Sequence, residues 1–242
     1  MIIISGANRN RYGAPQNHEL YAKKWGYEYK FYHFDVKDNL YPHEERSELY
    51  KIPKVWAGVD ISIVDALQKH DEVLWIDDDA FFVDFDWDCR DIYKLSDKPL
   101  IMSEDPVITG FSTPIFNAGV NFFRKNSDVI NMVSEAPHLS DKEVIEKWDP
   151  AWGDNTGNNQ PRWILLTQTK YKDVCHIASY NEGFNHAPWD YNKKSTKIIH
   201  FCGWLEDTGF PKDIIIKKFS KAKPDRAEVN FWPGIEPPSF DG

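Results

Sequence analysis

Apolar residues in this chain come in short runs divided by polar punctuation, and the runs alternate between two periods. Ile2 to Ile4 is the first run and ends in Ser5-Gly6-Ala7-Asn8-Arg9, which reads as a strand followed by a polar loop. Pro15 to Trp25 has helical character, with Leu20 and Trp25 expected on the buried side and Gly26 as the stop. Tyr27 to Phe34 alternates, placing Tyr27, Tyr29 and Phe31 on one side of a second strand, and the charged stretch from Asp35 to Glu48 reads as a surface loop. Ile52 to Lys69 is the clearest helix: Ile52, Val55, Trp56, Val59, Ile63, Ala66 and Leu67 recur at spacings of three and four and make one stripe. His70-Asp71-Glu72 ends it, and Val73-Leu74-Trp75-Ile76 begins a central strand at once. That strand–helix–strand rhythm is the pattern of an α/β sheet.

The later elements continue it. Pro99 to Asp105 is a strand ending in acid, and Thr113 to Arg124 is strand-like but interrupted by Asn117-Ala118-Gly119. A glycine inside a strand marks either a bulge or a close approach by a ligand. Ser127 is expected to cap a helix through Val133, a further helix should run from Arg162 to Thr169, and a strand from Val174 to Ala178. Lys197 to Trp204 is a last buried strand bearing His200, and the segment after Asp207 is basic, then rich in proline, and peripheral.

The chemistry gathers at residues 77 to 79. Between the apolar runs Val73–Ile76 and Ala80–Val83 stand three consecutive carboxylates, Asp77, Asp78 and Asp79. Burying such charges without a cation costs several kcal/mol apiece, on the order of the penalty for any unpaired buried ion. Strand alternation would point Asp77 and Asp79 together and Asp78 away. Two hard oxygen donors at the end of a buried strand suit Mg²⁺ or Mn²⁺, ions that take further ligands from water and from a substrate diphosphate. The flanking apolar runs argue against a merely solvated acidic turn. By contrast Asp84-Phe85-Asp86-Trp87-Asp88 has no apolar run behind it and reads as a solvated loop.

Other candidates are less specific. The first loop, with Tyr12, could admit a base or could be an ordinary glycine-bearing turn. Lys54 lies off the helix stripe and is either solvated or a phosphate grip. Trp148 to Trp163 sets Asp149, Asp154, Asn155, Asn158, Asn159 and Gln160 among rings, a surface able to hydrogen-bond sugar hydroxyls or to cap a helix. On its own, His200 in an apolar strand fits a satisfied core histidine as well as a ligand.

Composition narrows the classes. Aromatics make up 15% of the 242 residues, which fits stacking platforms for sugars and equally a large aromatic core. A net charge of −9 argues against nucleic acid as partner. Cys89, Cys175 and Cys202 are odd in number and widely spaced, which suggests free thiols in a reducing compartment and no zinc site. Met1-Ile-Ile-Ile-Ser-Gly lacks a basic region and a long apolar run, so a cytoplasmic location without signal peptide or transmembrane segment is expected.

Taken together, these segments resemble the GT-A class of nucleotide-sugar glycosyltransferases, above all the galactosyl-, mannosyl- and xylosyltransferases of family 34 and, more distantly, family 8. The carrying stretches are Gln16 to Tyr27, Lys51-Ile-Pro-Lys-Val, Leu74 to Phe82, Phe116-Asn-Ala-Gly-Val, Gly153-Asp154 with Asn159-Gln160, and Ile199 to Trp204. The resemblance implies one α/β domain of the Rossmann-like GT-A type, three layers (α/β/α) around a mixed, mostly parallel sheet. Residues 1–110 would mainly bind nucleotide, 111–205 mainly sugar and acceptor, and 206–242 would be a tail. It implies Asp77, Asp79 and His200 as ligands of Mn²⁺ or Mg²⁺, and Lys54 near the diphosphate. Ser5, Gly6, Ala7, Asn8, Arg9 and Tyr12 would hold base and ribose, with Asp78 also on the nucleotide side. Asp105, Asn117, Ala118 and Gly119 would face sugar and acceptor, and Asp154 and Gln160 would stand at the reaction centre. The implied activity is retaining transfer of a hexose or pentose from a nucleoside-diphosphate sugar, UDP-linked by preference, to a glycan hydroxyl. A metal-dependent phosphatase of the haloacid-dehalogenase type and a non-catalytic carbohydrate-binding module are the alternatives.

Overall fold

Branched and aromatic side chains pack best on a pleated surface, and the short apolar runs accordingly become strands. The computed structural model describes residues 1–7, 14–34, 55–106, 113–153, 155, 159–192 and 194–201. Its central sheet has the order β2-β1-β3-β6-β5-β7. The strands are β1 (Ile2–Ala7), β2 (Glu28–His33), β3 (Glu72–Ile76), β5 (Leu100–Ser103), β6 (Asn117–Arg124) and β7 (Cys175–Ala178). A separate antiparallel ribbon joins β4 (Ala80–Phe82) to β8 (Ile198–His200). Within the main sheet β6 alone runs against its neighbours β3 and β5, while β1 with β2, β1 with β3, and β5 with β7 are parallel. The sheet is therefore mixed and mostly parallel, as expected.

Strand alternation divides the core into two faces. Ile2, Ile4, Val73, Trp75, Leu100 and Met102 meet one set of helices, α2 (Val55–Lys69), α3 (Ser127–Glu135) and α5 (Gln160–Gln168). Ile3, Leu74, Ile76 and Ile101 face the other way, onto α1 (Ala14–Trp25), the β4–β8 ribbon, Phe85 and Phe184. Full burial of each large apolar side chain contributes roughly 1.5–3 kcal/mol. The sequence did not announce α4 (Asp141–Lys147), whose start is a capping box: Ser140 accepts from the Glu143 N–H and Glu143 from that of Ser140.

Several expectations change in detail. The buried side of α1 carries Asn17, His18, Tyr21 and Ala22, whereas Leu20 and Trp25 are only half-buried. The polar pair is there because α1 leans on the backbone of β4. Asn17 donates to Phe82 O at 3.0 Å and accepts from Phe82 N–H at 2.8 Å, and the His18 Nε2 lies 2.8 Å from Ala80 O. These side chains supply partners that a longer sheet would give that edge. Asn126, not Ser127, caps α3, its side chain accepting from Asp128 N–H at 2.8 Å. β6 begins at Asn117 with no interruption, and the irregularity is a register shift against β5 between Met102 and Ser103. α5 starts at Gln160, two residues earlier than its apolar pattern suggests. Residues 84–88 are not wholly solvated, because Phe85 is buried while Asp86 pairs with the Lys24 ammonium. Ile52, the loop from Asp35 to Glu48, Cys202 and the basic tail lie outside the described residues. Cys89 and Cys175 are free thiols. Among the described residues no helix is long and apolar enough to cross a membrane.

Candidate metal centre at the edge of the sheet

β3 ends at Ile76, and the chain turns through Asp77-Asp78-Asp79 into β4. Backbone bonds hold that turn from three directions. Asp77 N–H donates to Gly119 O at 2.8 Å, Ala80 N–H to Asp77 O at 3.1 Å, and Phe201 N–H to Asp79 O at 3.1 Å. The turn, rather than strand alternation, brings Asp77 and Asp79 together. β8 pairs with β4 so that His200 stands opposite Ala80. Its Nε2 lies 3.2 Å from Asp79 Oδ1 and 3.7 Å from Asp77 Oδ2. One ligand atom from each of the three residues falls within 4.8 Å of the other two. Asp78 is buried apart from them, close enough to Tyr29 to help push that phenol's pKa upward, though burial is the larger cause.

The electrostatics of the trio call for a cation. Burial pushes the Asp77 carboxyl well above the usual carboxylate range; His200 pulls it down, Asp79 pushes it up again, and the indole N–H of Trp75, 2.6 Å from Oδ1, pulls it down. Two partly buried carboxylates beside one another carry mutual repulsion that a dication removes. Two carboxylate oxygens and one imidazole nitrogen form a donor set that fits Mn²⁺ or Mg²⁺, and three protein ligands leave the remaining positions to water and substrate oxygens.

β6 supplies the floor. A Cβ built on Gly119 would stand 1.9 Å from His200 Cε1, so the ring occupies space that only glycine leaves open. The close approach signalled by this glycine is thus made by the protein's own imidazole. Next to it, Asn117 Nδ2 donates to Asp105 Oδ1 at 2.8 Å, and Gln160 Oε1 accepts from Ala118 N–H at 2.8 Å. Burial pushes the Asp105 pKa up to about 6, against the pull of the Asn117 amide and of His200. Hence Asp105, Asn117, Ala118, Gly119 and Gln160 form one wall beside Asp77, Asp79 and His200.

Ser5, Gly6 and Ala7 end β1, the neighbour of β3, where Ile4 pairs with Trp75. A Cβ on Gly6 would meet Phe34 Cζ at 2.5 Å, so packing alone explains this glycine. Asn8, Arg9, Tyr12, Lys54 and Asp154 lie outside the described residues. Two groups at the centre escaped the sequence reading: Trp75, read only as an apolar strand residue, and Asn185, in a stretch with no periodic signal. Asn185 Oδ1 lies 2.9 Å from His200 Nδ1.

The sequence matches no protein-family model and no curated protein. Solved structures do match. A glycosyltransferase involved in the glycosylation of the major capsid of PBCV-1 is 13% identical with a TM-score of 0.60, over 90% of this chain and 97% of that one. The glycosyltransferase GlyE of Streptococcus pneumoniae TIGR4 is 14% identical with a TM-score of 0.52, over 94% of this chain and 61% of its own. The galactosyltransferase LgtC superposes less closely, at 16% identity and a TM-score of 0.49, over 91% of this chain and 95% of that one. The likeness to the first two is one of fold, the GT-A α/β fold that the sequence motifs led us to expect.

Proposed function

We propose that this chain is a metal-dependent, retaining glycosyltransferase that moves a hexose or pentose from a nucleoside-diphosphate sugar, UDP-linked by preference, to a glycan hydroxyl. The observation that carries the reading is the meeting of the acids Asp77 and Asp79 with His200, a residue far from them in sequence, at one edge of a sheet of this fold. Mn²⁺ or Mg²⁺ held by these three would supply positive charge beside the diphosphate, where negative charge develops as the sugar departs.

The chain's own groups have separable tasks. Asp77 and Asp79 supply carboxylate oxygens, with Trp75 holding the first by its indole N–H. His200 supplies a nitrogen lone pair from a ring buried at 3% exposure. Ser5, Gly6 and Ala7 end the neighbouring strand on the nucleoside side, and Asn8, Arg9, Tyr12, Asp78 and Lys54 complete that assignment by resemblance. Asp105, Asn117 and Ala118 are assigned to the donor sugar and the acceptor by the same resemblance, with Gln160 and Asp154 at the reaction centre, while Gly119 leaves room for His200. Asp105 is fixed by the Asn117 amide, which holds one carboxylate oxygen. In the reaction the bond from anomeric carbon to diphosphate oxygen breaks and a bond to the acceptor oxygen forms on the same face. The acceptor proton passes to the departing phosphate. This same-face course is adopted by analogy of fold.

Calorimetric titration of UDP and GDP, each with and without Mn²⁺, tests the reading. One nucleotide should bind only with metal, and the matching nucleotide sugars should then release it in the presence of a glycan acceptor. Proton NMR of the product reports the anomeric configuration. Absence of metal-dependent nucleotide binding would refute the proposal; phosphate release from a monoester would favour the phosphatase alternative, and nucleotide-independent sugar binding the carbohydrate-binding one.

A further inference from the structure

We infer that Asn185 is the positioning residue of this centre, fixing the tautomer and orientation of His200 so that Nε2 presents its lone pair to the site between Asp77 and Asp79. The inference rests on the metal reading above, but its decisive geometry is a chain of hydrogen bonds whose direction can be worked out from one end. Gly119 N–H can only donate, and it donates to an Asn117 side-chain atom at 2.8 Å. That atom is therefore the amide oxygen, and the Asn117 nitrogen must lie on the other side. There it faces Asp105 Oδ1 at 2.8 Å, an acceptor, so both ends agree.

The Asn117 oxygen in turn lies 3.0 Å from an amide atom of Asn185. Oxygen facing oxygen would be repulsive, so the atom there is the Asn185 nitrogen. Its oxygen is then turned toward His200 Nδ1, 2.9 Å away. An amide oxygen has no hydrogen to give, so Nδ1 carries the N–H. A neutral imidazole has one N–H only, and Nε2 is left with its lone pair at 3.2 Å from Asp79 Oδ1 and 3.7 Å from Asp77 Oδ2.

The backbone explains how Asn185 arrives there. His186 N–H donates to Ile198 O at 3.1 Å and His200 N–H to His186 O at 2.8 Å, so residues 185–186 run beside β8. Asn185 and His200 are both at 3% exposure or less, and Asn117 is buried, so water does not compete for these bonds. Ligand histidines commonly have their second nitrogen fixed in this way, and loss of the fixing group weakens metal binding about 10–100-fold.

The test uses the full chain as wild type, Asn185→Leu and Asn185→Asp. Leucine removes both amide bonds at similar volume, whereas Asp keeps an oxygen toward Nδ1 and, when protonated, a donor toward Asn117. Mn²⁺ affinity, alone and with UDP, is read by calorimetry, the His200 tautomer by long-range ¹H–¹⁵N correlation in the metal-free protein, and folding by thermal melts. The wild type should show the Nδ1–H form. Asn185→Leu should lose about 10–100-fold in Mn²⁺ affinity and show mixed tautomers, while Asn185→Asp stays within about tenfold of wild type. A folded Asn185→Leu with wild-type affinity, or an Nε2–H tautomer in the wild type, overturns the inference. If Asn185→Leu does not fold, the wild-type tautomer and the Asp variant decide. A wild type that binds neither Mn²⁺ nor nucleotide sinks the functional reading instead, and the tautomer still judges this one.

Discussion

Gly119→Ala probes the site with a single methyl group, and competing effects give its outcome a definite sign. Gly119 is not one of the glycines with positive φ, which among the described residues are Gly26, Gly153 and Gly183, so alanine suits its backbone. Lower entropy of the unfolded chain alone would then stabilise the protein by about 0.4–1 kcal/mol. Against this, the new Cβ would stand 1.9 Å from His200 Cε1 and 2.6 Å from both ring nitrogens. Ordinary carbon contacts lie at roughly 3.5–4.0 Å, so the ring must retreat by about 1.5–2 Å. Such a shift breaks the 2.9 Å bond from His200 Nδ1 to Asn185 and removes Nε2 from the carboxylates. Overpacking costs typically about 1–3 kcal/mol, so the net effect should be a loss of about 0.5–2 kcal/mol, a fall in Tm of several degrees. On the proposed metal reading, Mn²⁺ affinity should drop by at least the roughly 10–100-fold that loss of a mere supporting group costs, since His200 itself is displaced. Calorimetry with Mn²⁺ and UDP, alongside a thermal melt, measures both. An alanine variant that melts higher and binds Mn²⁺ as well as wild type would show that the imidazole does not belong over Gly119.

Asp79→Ala should abolish metal-dependent nucleotide binding and leave the far-ultraviolet circular dichroism unchanged; full retention of binding would remove Asp79 from the ligand set. Burial raises the Asp60 pKa well above the carboxylate range, with the Trp163 indole N–H at 2.9 Å pulling it partly back. The folded chain therefore holds this proton longer than the unfolded one, so stability falls as pH rises from about 4 toward the folded value. Asp60→Asn should flatten that part of the stability–pH profile and be the more stable protein at pH 7, as denaturant titrations at several pH values would show. Asn17→Leu leaves the Phe82 N–H and C=O without their side-chain partner, and should cost about 2–4 kcal/mol by urea unfolding at about 1–3 kcal/mol per unsatisfied buried group.

The residues that could be read from the sequence are those whose role is periodic. The unbroken isoleucine run of β1 declares a strand covered on both sides, the stripe Val59, Ile63, Ala66, Leu67 declares one helical face, and their burial follows. The acids at 77 to 79 declare themselves by interrupting an apolar run. Asn17, His18 and Asn185 could not be read, because the first two are satisfied by backbone groups and the third by an imidazole, all 15 or more residues away. A polar side chain satisfied across such a distance looks in sequence like any surface amide. The capping residue of α3 was misplaced by one position because Asn126 and Ser127 are both good caps, and only backbone geometry chooses between them.

The reversed strand explains why so much of the candidate chemistry occupies one edge. β3 and β5 end there, delivering Asp77 and, just past Ser103, Asp105. A parallel β6 would also end there and would start its eight residues at the opposite edge, about 23 Å away at roughly 3.3 Å per residue. Because β6 runs the other way, its first residues arrive beside the ends of its neighbours: Val120 pairs with Ile76, Asn117 with Ser103, and Gly119 O receives the Asp77 N–H. The register shift in the same stretch leaves Ala118 N–H to Gln160, a side chain from the start of α5. β8 then joins β4 instead of the main sheet, which carries His200 over the side-chain gap at Gly119. Three backbone decisions therefore assemble the site: a reversal, a shifted register and a strand paired out of the main sheet. Each places groups whose own side chains carry no record in the local sequence of where they will meet.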